Sequence, residues 1–232
     1  MLALAALPAT ADATLRLTTE NLPPYNILGE GPQSVTGLVA DKVVEMMHRA
    51  GVSYTLMPSG WNRAYQMAQK RPDTCVFSTV RMTEREALFK WIGPFAVSEW
   101  QIYGRIEDHG SKRTLADIHD ATISVYQNDA LDISLKQRGY QVVEADSGEA
   151  SLRALLAGRA DYWASGNYSG PRMLRDAGAT DRVRLLFTFE RTELYLACNP
   201  GVADELVDRL RAAQKQLEGD GTFQRIDAKY AQ

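Results

Sequence analysis

The chain has 232 residues, of which 45% are apolar and 24% charged, and a net charge of −3. That length supports a substantial core in one large domain or two lobes, and the composition is ordinary for a globular protein. The slight negative charge leaves no electrostatic footprint for nucleic acid or an anionic membrane.

Residues 1–13, MLALAALPATADA, are apolar and alanine-rich and carry the small-x-small sites Ala9-Thr10-Ala11 and Ala11-Asp12-Ala13. They look like the back half of a secretory signal peptide, so the protein is expected to be exported to the periplasm. No later apolar run reaches the roughly 20 residues that cross a bilayer. From there, alternation predicts a strand over 15–19, and the Pro-Pro of ENLPPY (20–25) ends it in a stiff loop. Helical spacing of Val39, Val43, Val44, Met46 and Met47 predicts a helix over 39–50 that stops at Gly51. A strand over 52–57, a helix over 61–70 and a buried strand over 73–79 complete β-α-β-α-β, the start of an open sheet with crossover helices.

Residues 78–95 read STVRMTEREALFKWIGPF. Here a strand end opens onto Ser78, Thr79, Arg81 and Arg85, then an apolar helical stretch and a Gly93-Pro94 turn. Hydroxyls and guanidinium groups at the carboxyl ends of strands are where α/β proteins hold anions, and a guanidinium grips a carboxylate with two parallel hydrogen bonds. A second β-α-β run follows, with strands at 99–105, 122–126, 141–144 and 160–164. Its helices cover 130–138, 147–157 and 170–176. Strands at 183–187 and 194–198 and helices at 202–217 and 222–230 close the chain. The second run is inserted between 99 and 194, so two lobes with a cleft between them are expected: 14–98 with 195–232, and 99–194.

Several motifs occur in order: Gly-Leu-Val-Ala-Asp at 37–41, the T-E-R segment ending at Arg85, Gly-Arg-Ala-Asp at 158–161 and Gly-Asp-Gly-Thr-Phe at 219–223. Together they resemble the type II periplasmic solute-binding proteins, amino-acid-binding (family 3) branch, over nearly the whole chain. The resemblance implies a two-lobed α/β fold with a mixed open sheet in each lobe, a ligand cleft between lobes and no cofactor. It implies a monomer that captures a small carboxylate-bearing ligand, an amino acid or a relative, for an ABC importer. The arginine of the family segment corresponds to Arg85, yet the usual Thr before it is Met82 and Arg81 is an extra cation; both arginines stay open as the clamp.

The resemblance further implies an acidic contact at Glu20 and aromatic walls at Tyr25 and Trp61. Across the cleft, Gln127, Asn128, Asp129 and Ala130 lie where a strand meets a helix start, which favours anions and equally suits an ordinary N-cap. The family's ammonium-binding Asp falls on Gly166 here, flanked by Ser165 and Asn167, so that group must find Glu20, Asp129 or no partner at all. In the implied topology Cys75 and Cys198 lie on adjacent strands, and register decides between a disulfide and two free thiols. No Ser-His-Asp, Cys-His or metal-ligand spacing is present, and His48, His109 and His119 are scattered. A dehydratase-like enzyme with Glu20 as general acid and a ligand-sensing module are the rival readings.

Overall fold

The computed structural model describes residues 14–31, 33–107 and 112–231. The signal-peptide expectation for 1–13 and the placement of His109 lie outside the described residues; His48 and His119 are exposed. The chain opens with β1 (Leu15–Thr18), a small hairpin of β2 (Ile27–Leu28) and β3 (Val35–Thr36), α1 (Leu38–Ala50), β4 (Tyr54–Leu56), α2 (Trp61–Lys70) and β5 (Thr74–Val80). A 3₁₀ turn over Thr83–Leu88 leads into β6 (Lys90–Arg105). Then come β7 (Thr122–Tyr126), α3 (Ala130–Gln137), β8 (Gln141–Ala145), α4 (Gly148–Leu156), β9 (Tyr162–Gly166) and α5 (Ser169–Asp176). The long strand β10 (Val183–Cys198) and helices α6 (Asp204–Gly219) and α7 (Thr222–Tyr230) finish the chain.

Eight strands form one mixed sheet in the order β4-β1-β5-β10-β6-β9-β7-β8. β4, β1 and β5 run parallel at one end, and β9, β7 and β8 run parallel at the other. Between them β6 and β10 pair antiparallel with each other from Lys90↔Cys198 to Arg105↔Val183. This corrects three expectations. The strand over 99–105 is only the end of β6, the strands over 183–187 and 194–198 are one strand, and Gly93-Pro94 lies inside β6 rather than in a turn. The physical reason is the partner: the two long strands pair with each other on both sides of an irregularity at Gly93-Pro94 and of another just before Glu190, places that local propensity reads as breaks. The segment before β6 is a 3₁₀ turn, not an α-helix.

The two ends of the sheet have separate cores. Leu15, Leu17, Val39, Met46, Leu196 and Leu210 pack together under α1 and α6, with Trp61, Ala64, Phe89 and Trp91 on the opposite face. At the other end Ile102, Ile123, Leu131, Leu135 and Phe187 form one cluster and Leu152, Leu155, Trp163 and Leu174 another. The apolar spacing of α1 therefore buries its Val and Met stripe, as period 3.6 demands. Gly37 begins that helix because a Cβ there would meet the Tyr25 carbonyl oxygen at 2.5 Å, with φ at 120°. Cys75 and Cys198 face each other in the β5–β10 register and are joined by a disulfide across 123 residues of chain.

Candidate functional site

The strand ends, not the motifs alone, assemble the site. β1, β5 and the start of α2 deliver side chains from one half of the sheet. The connections after β7, β8 and β9 deliver them from the other. Between them lies a cavity of about 180 Å³, room for roughly half a dozen waters at their liquid volume. Glu20, Tyr25, Trp61, Ser78 and Arg85 line it from the first half. Asp129 and Ser165 line it from the second.

Arg85 dominates the first wall. It is 2% exposed, and its guanidinium lies over the rings of Tyr65 at 4.9 Å and Trp61 at 5.4 Å. Its two terminal nitrogens reach only the carbonyls of Val80 and Asn128, both at 3.4 Å. Its Nε is buried without any acceptor, and no carboxylate forms an ion pair with it among the described residues. Burial lowers its proton affinity, partly offset by Tyr65 and Asp129. A buried cation without a counter-ion is costly, and such perturbed groups in clefts concentrate at functional sites.

Arg81 is different. Its guanidinium makes a two-pronged bond to Glu86, at 2.8 Å and 2.5 Å, and stacks on Trp91 and Tyr195. It stands outside the cavity.

Three carboxylates share the cavity wall: Glu20, Asp129 and Glu149. Glu20 makes no hydrogen bond or ion pair among the described residues, and its pKa is pushed up to about 8, first by burial and then by Asp129 and Glu149. Asp129 is also raised by burial, against the pull of Arg85 and of the Ala130 N–H that its side chain caps. Tyr126, facing the same acids, is pushed up to about 12, mainly by burial. Burial likewise pushes Tyr25 up to about 12; its hydroxyl donates to the Val97 carbonyl, and its ring meets that of Tyr168 edge-on across the cavity.

Trp61, 4% exposed, donates its indole N–H to the Asn128 carbonyl at 3.1 Å, another contact between the two halves. Asn128 takes φ of 62° to present that carbonyl, and Ser78 takes φ of 59°. Both are sparsely populated for non-glycine residues, and such conformations cluster at binding sites. The Ser78 hydroxyl is fixed by Asn26 at 2.7 Å.

Four other expected residues stand outside the cavity. Thr79 is fully buried and bonds the Val76 carbonyl. Ala130 is fully buried beneath α3. Asn128 contributes its carbonyl rather than its side chain. The Asn167 amide oxygen is spent on the Glu99 N–H. At Gly166 a Cβ would meet the Ser169 hydroxyl oxygen at 2.9 Å, so Ser169 fills space that a larger side chain at 166 would need.

Arg172 and Glu149 also line the cavity, and sequence reasoning missed both. They lie on amphipathic helices where a charged residue looks like ordinary solvated surface; only Glu149 falls in a helix first turn, after the Ser147 cap, where an acid is expected anyway.

The sequence profile of the bacterial extracellular solute-binding proteins, family 3, matches residues 15–232. The L-cystine-binding protein TcyA of Bacillus subtilis (strain 168) is 20% identical over 208 residues, 89% of this chain and 76% of that protein. A histidine kinase sensor domain similar to periplasmic binding proteins superposes with a TM-score of 0.84 at 17% identity, covering 94% of this chain and 96% of that one. An ancestral arginine-binding protein bound to arginine superposes at 0.77 with 19% identity, covering 94% and 98%. The fold is thus that of the type II periplasmic binding proteins.

Proposed function

Because the chain belongs to the bacterial extracellular solute-binding proteins of family 3, we propose that it captures a small amino-acid-like ligand in the cavity between two lobes and releases it unchanged. The lobes are 14–98 with 195–232, and 99–194, hinged on β6 and β10. The observation that carries this reading is Arg85, a buried guanidinium at the cavity with no anion of its own. A ligand carboxylate completes it with charge-assisted hydrogen bonds. Tyr25 and Trp61 flank the ligand body, and Glu20 or Asp129 receives its ammonium group in place of the family Asp.

Closure follows from differential affinity. A ligand touching both walls binds the closed arrangement better and shifts the population toward it. The cross-cavity contacts of Trp61 with Asn128 and of Tyr25 with Tyr168 support such a closed state. The protein would act as a periplasmic monomer that hands its ligand to an ABC importer; no helix among the described residues is long and apolar enough to cross a membrane. Calorimetric titration with the proteinogenic amino acids tests the reading. A saturable, one-to-one heat that vanishes in Arg85→Ala supports it, and no heat from any of them removes it.

A further inference from the structure

The cavity is short in every direction. Its floor is the pair of long strands, where Trp100 of β6 and Leu194 of β10 are buried. One flank is shut by the Trp61 indole bonded to the Asn128 carbonyl. The mouth is shut by two rings. Tyr25 is buried, follows Pro23-Pro24 and donates its hydroxyl to the Val97 carbonyl at 2.9 Å. Tyr168, from the opposite half, meets it edge-on with ring centroids 5.6 Å apart. Tyr168 lines the cavity and is nonetheless 47% exposed, so its ring stands between the cavity and solvent. The loop that carries it is pinned. Asn167 donates its N–H to the Glu99 carbonyl at 2.9 Å, and its amide oxygen accepts from the Glu99 N–H at 3.0 Å. The Tyr168 ring therefore moves by its own side-chain torsions rather than with its loop. The rest of the rim is the partly exposed pair of Arg172 and Glu149, 3.7 Å apart.

We infer that Tyr168 is a size gate, and that the ligand it admits is a compact amino acid, about the size of alanine or serine, with no long side chain. An apolar cavity of about 150 Å³ takes up benzene. One of about 180 Å³ thus holds a molecule of roughly six to eight non-hydrogen atoms, and a carboxylate at Arg85 with an ammonium group uses most of them. A longer side chain meets Trp100 and Leu194 at the floor or the two tyrosines at the mouth. Tyr25 yields only by breaking its hydroxyl's bond and leaving the core. Tyr168 must swing into solvent instead, and the ring contact between the two halves is lost. A closed pocket rejects an extra methylene by about tenfold or more. A short polar side chain is well served, because Ser165 and Ser169, hydrogen-bonded to each other at 3.2 Å, line the same space.

The inference rests on the solute-binding reading above, and one set of titrations separates the two. Wild-type protein is titrated calorimetrically with each of the proteinogenic amino acids. The expected result is a tightest ligand of no more than about eight non-hydrogen atoms, with L-alanine or L-serine bound about tenfold or more tighter than L-glutamine and L-arginine. In Tyr168→Ala that ratio falls by about fivefold, the worth of a lost aromatic pair. In Tyr168→Phe, which keeps the ring, it stays within about twofold of wild type. Melting temperatures confirm that both variants are folded. A tightest ligand larger than that limit overturns the inference and leaves the solute-binding reading standing. So does a ratio that stays put in Tyr168→Ala or falls as far in Tyr168→Phe. If no amino acid binds, the amino-acid reading falls and takes the inference with it.

Discussion

Arg81 and Arg85 stand four residues apart on one connection between β5 and β6, and they meet opposite fates. Arg81 keeps two-fifths of its side chain in solvent, bonded to Glu86 and laid on Trp91 and Tyr195. Arg85 is buried at the cavity with its Nε unpartnered and two long bonds to carbonyls. Surface ion pairs contribute about 0–1 kcal/mol, whereas a buried charge without its partner costs several. The lesson is that a missing partner, more than a residue type, marks where a ligand belongs.

The sharpest way to break that contrast is Arg85→Met. Carboxylate-ligand affinity should fall at least a hundredfold, the roughly 3–5 kcal/mol of a severed buried pair. The ligand-free protein should melt no lower than wild type, since an uncompensated buried charge has been removed. Calorimetry and thermal denaturation read the two effects separately, and a large loss of ligand-free stability would make Arg85 a structural residue.

Next in size is the pH dependence of Glu20, the acid opposite Arg85 in charge but alike in lacking a partner. Its folded pKa of about 8 lies above the ordinary 4.5. Between those values the unfolded chain has released the proton and the folded protein has kept it. Stability is therefore full below about pH 4.5 and falls as pH rises to about 8, by an amount on the order of a few kcal/mol. Glu20→Gln should flatten that slope in urea denaturation followed across this range. An unaltered slope would mean that Glu20 sits in water.

Much of this site could be read from the chain. Strand ends and helix starts pointed to Ser78, Arg85 and Asp129, and the family resemblance to Glu20, Tyr25, Trp61 and Ser165; all seven line one cavity. What could not be read was which of two neighbouring arginines turns inward, because Thr83-Glu84 between them fits either orientation. The 3₁₀ turn settles it by rotating Arg85 under Trp61 and leaving Arg81 beside Glu86. Arg172 and Glu149 gave no signal, since their inward faces depend on how α4 and α5 pack on the sheet. The long strands β6 and β10 were hidden for a similar reason: Gly93-Pro94 and the charged run Glu190-Arg191 look like breaks until each strand meets the other.

A smaller effect sharpens the contrast from the aromatic side. Trp61→Phe keeps a ring near Arg85 but removes the N–H bonded to the Asn128 carbonyl across the cavity. One such hydrogen bond contributes about 1 kcal/mol, so affinity should weaken by about fivefold, chiefly through faster dissociation in stopped-flow traces. Unchanged dissociation would disconnect that contact from closure. Smallest of all is Arg81→Ala, for which affinity should stay within about twofold and stability within about 1 kcal/mol.

The central claim, that Arg85 holds the carboxylate of a small solute, is tested most directly by what the protein carries out of the cell. Wild-type protein, Arg81→Ala and Arg85→Met are purified under native conditions, mildly denatured, and the released small molecules identified by mass spectrometry. The expected result is a carboxylate-bearing compound, at up to one molecule per chain, from wild type and Arg81→Ala and none from Arg85→Met. A compound without any anionic group, or one retained equally by Arg85→Met, would contradict the account.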